Sequence, residues 1–183
     1  NIRGSCTANS ASIKALVDMA QSAGAAALLA DDATMAKAVR ADGVHVSAGS
    51  DLLTRYNGAR SILGKDAIVG VDCGGSRHLA MEAGEAGADY IAFGKTLVKL
   101  PPTADEDGTP APSAEFSTPE LVQWWSEIFE VPCVALDASD TQEQLAFVEA
   151  GADFLGLTIT ADQPAHAVAD MLRSAVDITS RSK

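Results

Sequence analysis

The sequence predicts an α/β protein built as a (β/α)8 barrel, and three observations carry that expectation. Short apolar runs without polar alternation are each followed by a turn and an amphipathic stretch, the pattern of parallel strands covered on both faces. The phrase Glu85-Ala86-Gly87-Ala88-Asp89-Tyr90-Ile91 recurs as Glu149-Ala150-Gly151-Ala152-Asp153-Phe154-Leu155, with a weaker copy at Arg40-Ala41-Asp42-Gly43-Val44. Each copy closes a helix with Gly or Asp and passes at once into a buried strand, and its recurrence favours the barrel. The composition is 47% hydrophobic but only 5% aromatic, which suits packed helices and buried strands better than an all-β sandwich. An open α/β sheet also uses tight turns of this kind and stands as the alternative.

The elements follow in order. A strand is expected at Ile2, and Ser12 opens a helix whose Ile13, Leu16, Val17 and Ala20 form an apolar stripe. Strand Ala25–Ala30 leads into helix Ala33–Arg40, and Gly43–Val46 into Asp51–Arg60. Ala67–Val71 leads into Ser76–Gly87, and Tyr90–Phe93 into a long loop and helix Thr118–Phe129. In that helix Thr118 is the expected cap before Pro119 at the first helical position. Val134–Leu136 leads into Thr141–Ala150, where Thr141 and Gln144 form a candidate capping box. Phe154–Leu157 leads into Gln163–Val176. Seven strands are one short of eight. A barrel does not leave an edge open cheaply, so a first strand and helix are expected ahead of Asn1.

At 183 residues and 18.8 kDa the chain is expected to form one domain over 1–183. Thirteen Lys and Arg against twenty-five Asp and Glu give 13 − 25 = −12, a charge that repels nucleic acid and anionic membranes. The longest apolar or small run, Ala25–Ala30, falls far short of the roughly 20 residues of a bilayer span. Cys6, Cys73 and Cys133 make neither a paired framework nor a CxxC, and reduced thiols in a cytoplasm are the simple reading. The expected partner is therefore a small molecule, phosphorylated or not, with self-association left open.

In such a fold chemistry sits at the C-terminal ends of the strands. Asp31 and Asp51 follow neighbouring strands and are candidates to hold Mg2+ through oxygen ligands; the competing use is helix capping, by Asp51 at the helix it opens and by Asp31 or Asp32 at the neighbouring one. Gly74-Gly75-Ser76 enters a helix with free backbone N–H groups, a hydroxyl and nearby Arg77, a candidate phosphate cradle, although an ordinary βα junction has the same residues. His45 is expected to be a packed, hydrogen-bonded histidine, and His78 and His166 structural or surface residues. Cys73 is a candidate for exposure but has no base beside it, and Cys133 is expected to pack at a strand start. The 95–117 stretch is too long for an idle βα loop and is expected to be a lid, a partner-binding flap or disordered.

Several stretches together resemble the thiamin phosphate synthase/TenI-like family. They are Leu29-Ala30-Asp31-Asp32, Ala41-Asp42-Gly43-Val44-His45-Val46, the run from Gly70 through Ser76 to Gly94, and Val131-Pro132-Cys133-Val134-Ala135. The resemblance covers nearly the whole chain from Ile2 and implies the barrel fold. In synthases of this family a pyrimidine diphosphate ionises, pyrophosphate leaves beside Mg2+, and a thiazole phosphate nitrogen captures the carbocation. Carried over by position, Asp31 and Asp51 match the metal aspartates, Ser76 a pyrophosphate-binding serine, and Arg3 the arginine of a Gln-x-Arg motif.

The match is uneven. The family asparagine before the first metal aspartate is Ala30, and the arginine after it is Asp32. The motif lysine beyond the sixth strand has no counterpart near Pro102, and the Gly-Gly phosphate loop is Asp137-Ala138. A carboxylate about 4 Å from a phosphate oxygen repels it by several kcal/mol at an effective dielectric near 20. The expectation is thus a diverged family member with weak or lost synthase activity. The alternatives are an active thiamin-phosphate synthase and a non-catalytic small-ligand or protein-binding barrel.

Overall fold

The computed structural model describes residues 10–94, 116–138, 140–160 and 162–181. The expected strand at Ile2, Arg3, and all of the 95–117 stretch except Phe116 and Ser117 lie outside the described residues. The chain forms two compact units, Asn1–Cys73 with His78–Tyr90, and Gly74–Arg77 with Ile91–Lys183.

Helices and strands alternate throughout, as α1 (Ser10–Ser22), β1 (Leu28–Ala30), α2 (Ala33–Val39), β2 (Gly43–Val46), α3 (Leu52–Leu63), β3 (Ile68–Asp72) and α4 (Arg77–Glu85). They continue as β4 (Ile91–Phe93), α5 (Thr118–Ile128), β5 (Cys133–Ala135), α6 (Thr141–Glu149), β6 (Phe154–Leu155) and α7 (Ala165–Arg181). Every strand expected from Ala25 onward is present, Gly43–Val46 with the expected bounds and the others trimmed or shifted by one to three residues. In the first unit β1 pairs in parallel with β2 and β2 with β3; in the second β4 pairs with β5 and β5 with β6. Strand order follows chain order in both, the succession of a (β/α)8 barrel and not the reversed order of a doubly wound sheet.

In the first unit all four residues of β2 are buried, as are Val69, Gly70 and Val71 of β3, which is why these strands read as unbroken apolar runs. Register sets His45 opposite Gly70, and the Tyr90 ring lies over the space that glycine leaves. The Tyr90 hydroxyl thereby meets His45 Nδ1 at 2.8 Å, so the histidine is the packed, bonded residue expected. Burial pushes the Tyr90 phenol up, with Asp72 and Asp89 adding to the shift.

In the second unit Trp125 is fully buried, stacked on Phe129 at 4.0 Å, and donates its indole N–H to the Val131 carbonyl at 2.7 Å. Two caps sit one residue earlier than the sequence suggested. Helix α5 is preceded by Ser117, whose N–H and hydroxyl both donate to Glu120 Oε2 at 2.8 Å; these bonds hold the Glu120 carboxyl below the usual range. At α6 the cap is Asp140, which accepts from the N–H groups of Gln142 and Glu143. Gln144 is instead buried and reaches the Ala138 carbonyl at 3.4 Å.

The recurring aspartate has a use the sequence did not disclose. Asp42 Oδ2 accepts the N–H of Ala27 at 2.7 Å, Asp89 Oδ2 that of Val69 at 2.6 Å, and Asp153 Oδ2 that of Cys133 at 2.9 Å. Each aspartate also donates its own N–H to the carbonyl of the same residue. A carboxylate just before one strand thus closes a ring with the start of the strand preceding it in the chain. The turn reaches this position through a left-handed residue, Gly87 or Gly151, and in the weaker copy through Arg40 at φ 59°. Asp153→Ala is expected to lower stability by about 1–3 kcal/mol, because it leaves the N–H of the fully buried Cys133 unpaired. Urea unfolding would read that loss. Asp153→Asn, which keeps an acceptor oxygen, should lose less.

Candidate functional site

In the first unit the candidate residues lie where β1 and β2 end. The backbone turns sharply after Ala30, with Asp31 at φ 57°, a conformation aspartate tolerates better than most residues. Asp32 caps α2 by accepting the Met35 N–H at 2.8 Å, so the capping use proposed for this pair of aspartates falls to Asp32. Asp31 is left to face the next loop. Its Oδ1 accepts the Ser47 N–H at 2.8 Å and Arg55 Nη1 at 2.8 Å. Asp51 directly precedes α3 but makes no side-chain cap bond; its Oδ1 accepts Arg55 Nε at 2.9 Å. Arg55 Nη2 donates to the Ser47 carbonyl at 2.7 Å.

Asp31 and Asp51 thus share one guanidinium, that of Arg55, a residue not singled out from the sequence. The signal was available: Asp51 and Arg55 stand four apart on one helix, the spacing of a facing ion pair. Arg55 alone would have been taken for surface decoration. Its reach to Asp31 depends on the fold.

The family resemblance implies Mg2+ at these aspartates, and the donor set can be tested against that ion. A hard divalent cation needs carboxylate oxygens whose lone pairs are free to point at it. Here Oδ1 of each aspartate points at one and the same guanidinium, that of Arg55. At about 4 Å and an effective dielectric near 20, each unit of a cation's charge is repelled by that guanidinium by about 4 kcal/mol. Among the described residues no group of three or more His, Cys, Asp or Glu converges to hold a metal. As they stand, these residues do not fit the ion.

In the second unit Gly74-Gly75-Ser76 leads directly into α4. Gly74 is buried in the left-handed region at φ 55°, a conformation that suits glycine. Gly75 is exposed, and a Cβ there would meet no atom of the described residues within 4 Å. Arg77 is turned to another use: its guanidinium lies 3.8 Å from the Phe116 ring centre and 4.7 Å from that of Trp124. Its Nε is buried without a hydrogen-bond partner. These contacts set the Arg77 guanidinium against the aromatic pair.

Asp137 follows β5 at φ 60°, and its Oδ1 accepts the Thr158 hydroxyl at 3.4 Å. It therefore holds a backbone conformation that glycine adopts freely, while adding a carboxylate. Cys73 is fully buried, which corrects the exposure considered for it, and burial pushes its thiol up. Cys133 is buried as expected, and His78 is exposed beside Glu82 at 3.4 Å. Among the described residues no helix is long and apolar enough to cross a membrane.

Sequential βα units, with the candidate groups on the loops after the strands, define a barrel protein of the class that works at the strand C-termini. A sequence model described as thiamine monophosphate synthase matches residues 4–158, and the chain belongs to that family. It is 46% identical over 128 residues to a thiamine-phosphate synthase of Erythrobacter litoralis, covering 70% of this chain and 55% of that protein. It is 42% identical over 165 residues to one of Rhodospirillum centenum, covering 88% and 74%. The chain thus spans a little over half to about three quarters of the length of these relatives. The solved thiamine phosphate pyrophosphorylase from Pyrococcus furiosus superposes with a TM-score of 0.71 at 21% identity, over 97% of this chain and 81% of that one, and shows the shared fold.

Proposed function

We propose that this chain carries the synthase reaction of its family. In that reaction hydroxymethylpyrimidine diphosphate is joined to thiazole phosphate: the bond to pyrophosphate breaks, a carbon–nitrogen bond forms, and pyrophosphate leaves. The observation that carries the reading is the 42% identity to a thiamine-phosphate synthase over 88% of the chain. This moves the reading from the diverged, weakly active protein expected above to its active alternative. The open Gly75 backbone before α4 supports it, since N–H groups at a helix start receive a phosphate without help from a cationic side chain. The Asp137 backbone supports it too, because its φ of 60° is one that glycine adopts freely.

One observation favours a second reading, a barrel with weak or lost turnover. The Asp137 side chain puts negative charge where the resemblance implies an uncharged phosphate loop. A steady-state assay with both substrates and Mg2+ separates the two. Thiamin phosphate and pyrophosphate formed one to one, at a rate in the ordinary enzyme range of about 1 s⁻¹ or more, is the expected result. Turnover about a thousandfold lower would favour the second reading.

A further inference from the structure

We infer that Arg55 is a built-in counter-cation, and that its guanidinium takes the place between Asp31 and Asp51 that the family resemblance gives to Mg2+. Three N–H groups of one side chain meet Asp51 Oδ1, Asp31 Oδ1 and the Ser47 carbonyl at 2.7–2.9 Å. They tie the loop after β1 to the start of α3. The remaining bond on Asp31 Oδ1 comes from the Ser47 N–H, so that oxygen already accepts two hydrogen bonds. Two carboxylates and one guanidinium leave a local charge of −2 + 1 = −1, against −2 for the aspartates alone. A divalent ion arriving here meets half the attraction and a fixed positive neighbour.

Arg55 has the features such a role needs. It is only 30% exposed, so it is held and not swept by solvent. It is planar and forked, and it meets two separate carboxylates at once, which a lysine ammonium on a flexible stem does less well. Stability is not its main effect, because the Asp51 side chain is 63% exposed and such pairs contribute little. What the arrangement decides is which cation the aspartates hold.

The test is direct Mn2+ binding followed by electron paramagnetic resonance, with no substrate present. Its outcome is therefore separable from the fate of the synthase reading. The quantity read is the number of ions bound in a way that Asp31→Asn abolishes. For the unaltered chain the expected value is zero up to about 1 mM Mn2+. For Arg55→Gln it is one, with an affinity at least tenfold above the unaltered chain, because both carboxylates lose their partner. One Asp31-dependent ion bound by the unaltered chain would overturn the inference, and so would a folded Arg55→Gln chain that binds no better. Should Arg55→Gln fail to fold, the comparison of the unaltered chain with Asp31→Asn still decides the matter.

Discussion

Gly75→Asp is expected to lower kcat/KM for the phosphorylated substrates by about two orders of magnitude while leaving the fold intact. The fold tolerates the change because Gly75 lies outside the left-handed region and a Cβ there meets no atom of the described residues within 4 Å. The chemistry does not tolerate it. On the proposed reading, a phosphate lies against the N–H groups that open α4, and a carboxylate about 5 Å from it in half-exposed surroundings repels it by about 3 kcal/mol per unit charge at an effective dielectric near 20. At 1.4 kcal/mol per decade that is roughly a hundredfold. Gly75→Ala, which adds bulk into open space but no charge, should stay within a fewfold of the unaltered chain. An unchanged kcat/KM for Gly75→Asp, with an unchanged urea midpoint, would move the phosphate away from this turn.

The largest stability effect is expected at a glycine far from that loop. Gly70→Ala should lower unfolding free energy by about 3–5 kcal/mol, read as a fall in urea midpoint at unchanged slope. A Cβ on Gly70 would run into the Tyr90 ring. If the ring moves, its hydroxyl leaves His45, which is only 4% exposed, and the buried bond at His45 Nδ1 is lost. An unsatisfied buried polar group costs about 1–3 kcal/mol, and forcing an extra carbon into a filled core a further 1–3. Tyr90→Phe separates the two parts, since it removes the hydroxyl alone and should lose about 1–2 kcal/mol. A Gly70→Ala chain within 0.5 kcal/mol of the unaltered protein would mean that the ring yields without loss.

The strands were legible because they are buried on both faces, so that Val44-His45-Val46 and Val69-Gly70-Val71 needed no solvent alternation to be recognised. Helix starts were less legible. At Ser117 and Asp140 the cap lies one residue before the expected one, because Ser, Thr and Asp side by side all offer an acceptor and only the local backbone chooses among them. Within the site, the proximity of Asp31 and Asp51 followed from strand order, which sequence periodicity discloses. The guanidinium between them did not, since its second carboxylate is 24 residues away and only folding brings it near. The recurring aspartate was noticed as a pattern, yet its partner lies a strand earlier in the chain. Repetition marks that a residue matters, but not what it holds.

The aspartate rings at Ala27, Val69 and Cys133 all close where a strand begins, whereas Asp31, Asp51, Gly75 and Asp137 all stand where one ends. Each βα unit therefore divides its labour along the strand axis: one end is fastened by main-chain and carboxylate bonds, and the other is free to vary. A substitution at the varying end, such as one at Asp137 or Arg55, leaves the bonds at the fastened end untouched. Departures at the site end are then a poor guide to whether the fold is intact, because the bonds that fasten each unit lie at the opposite end of its strand.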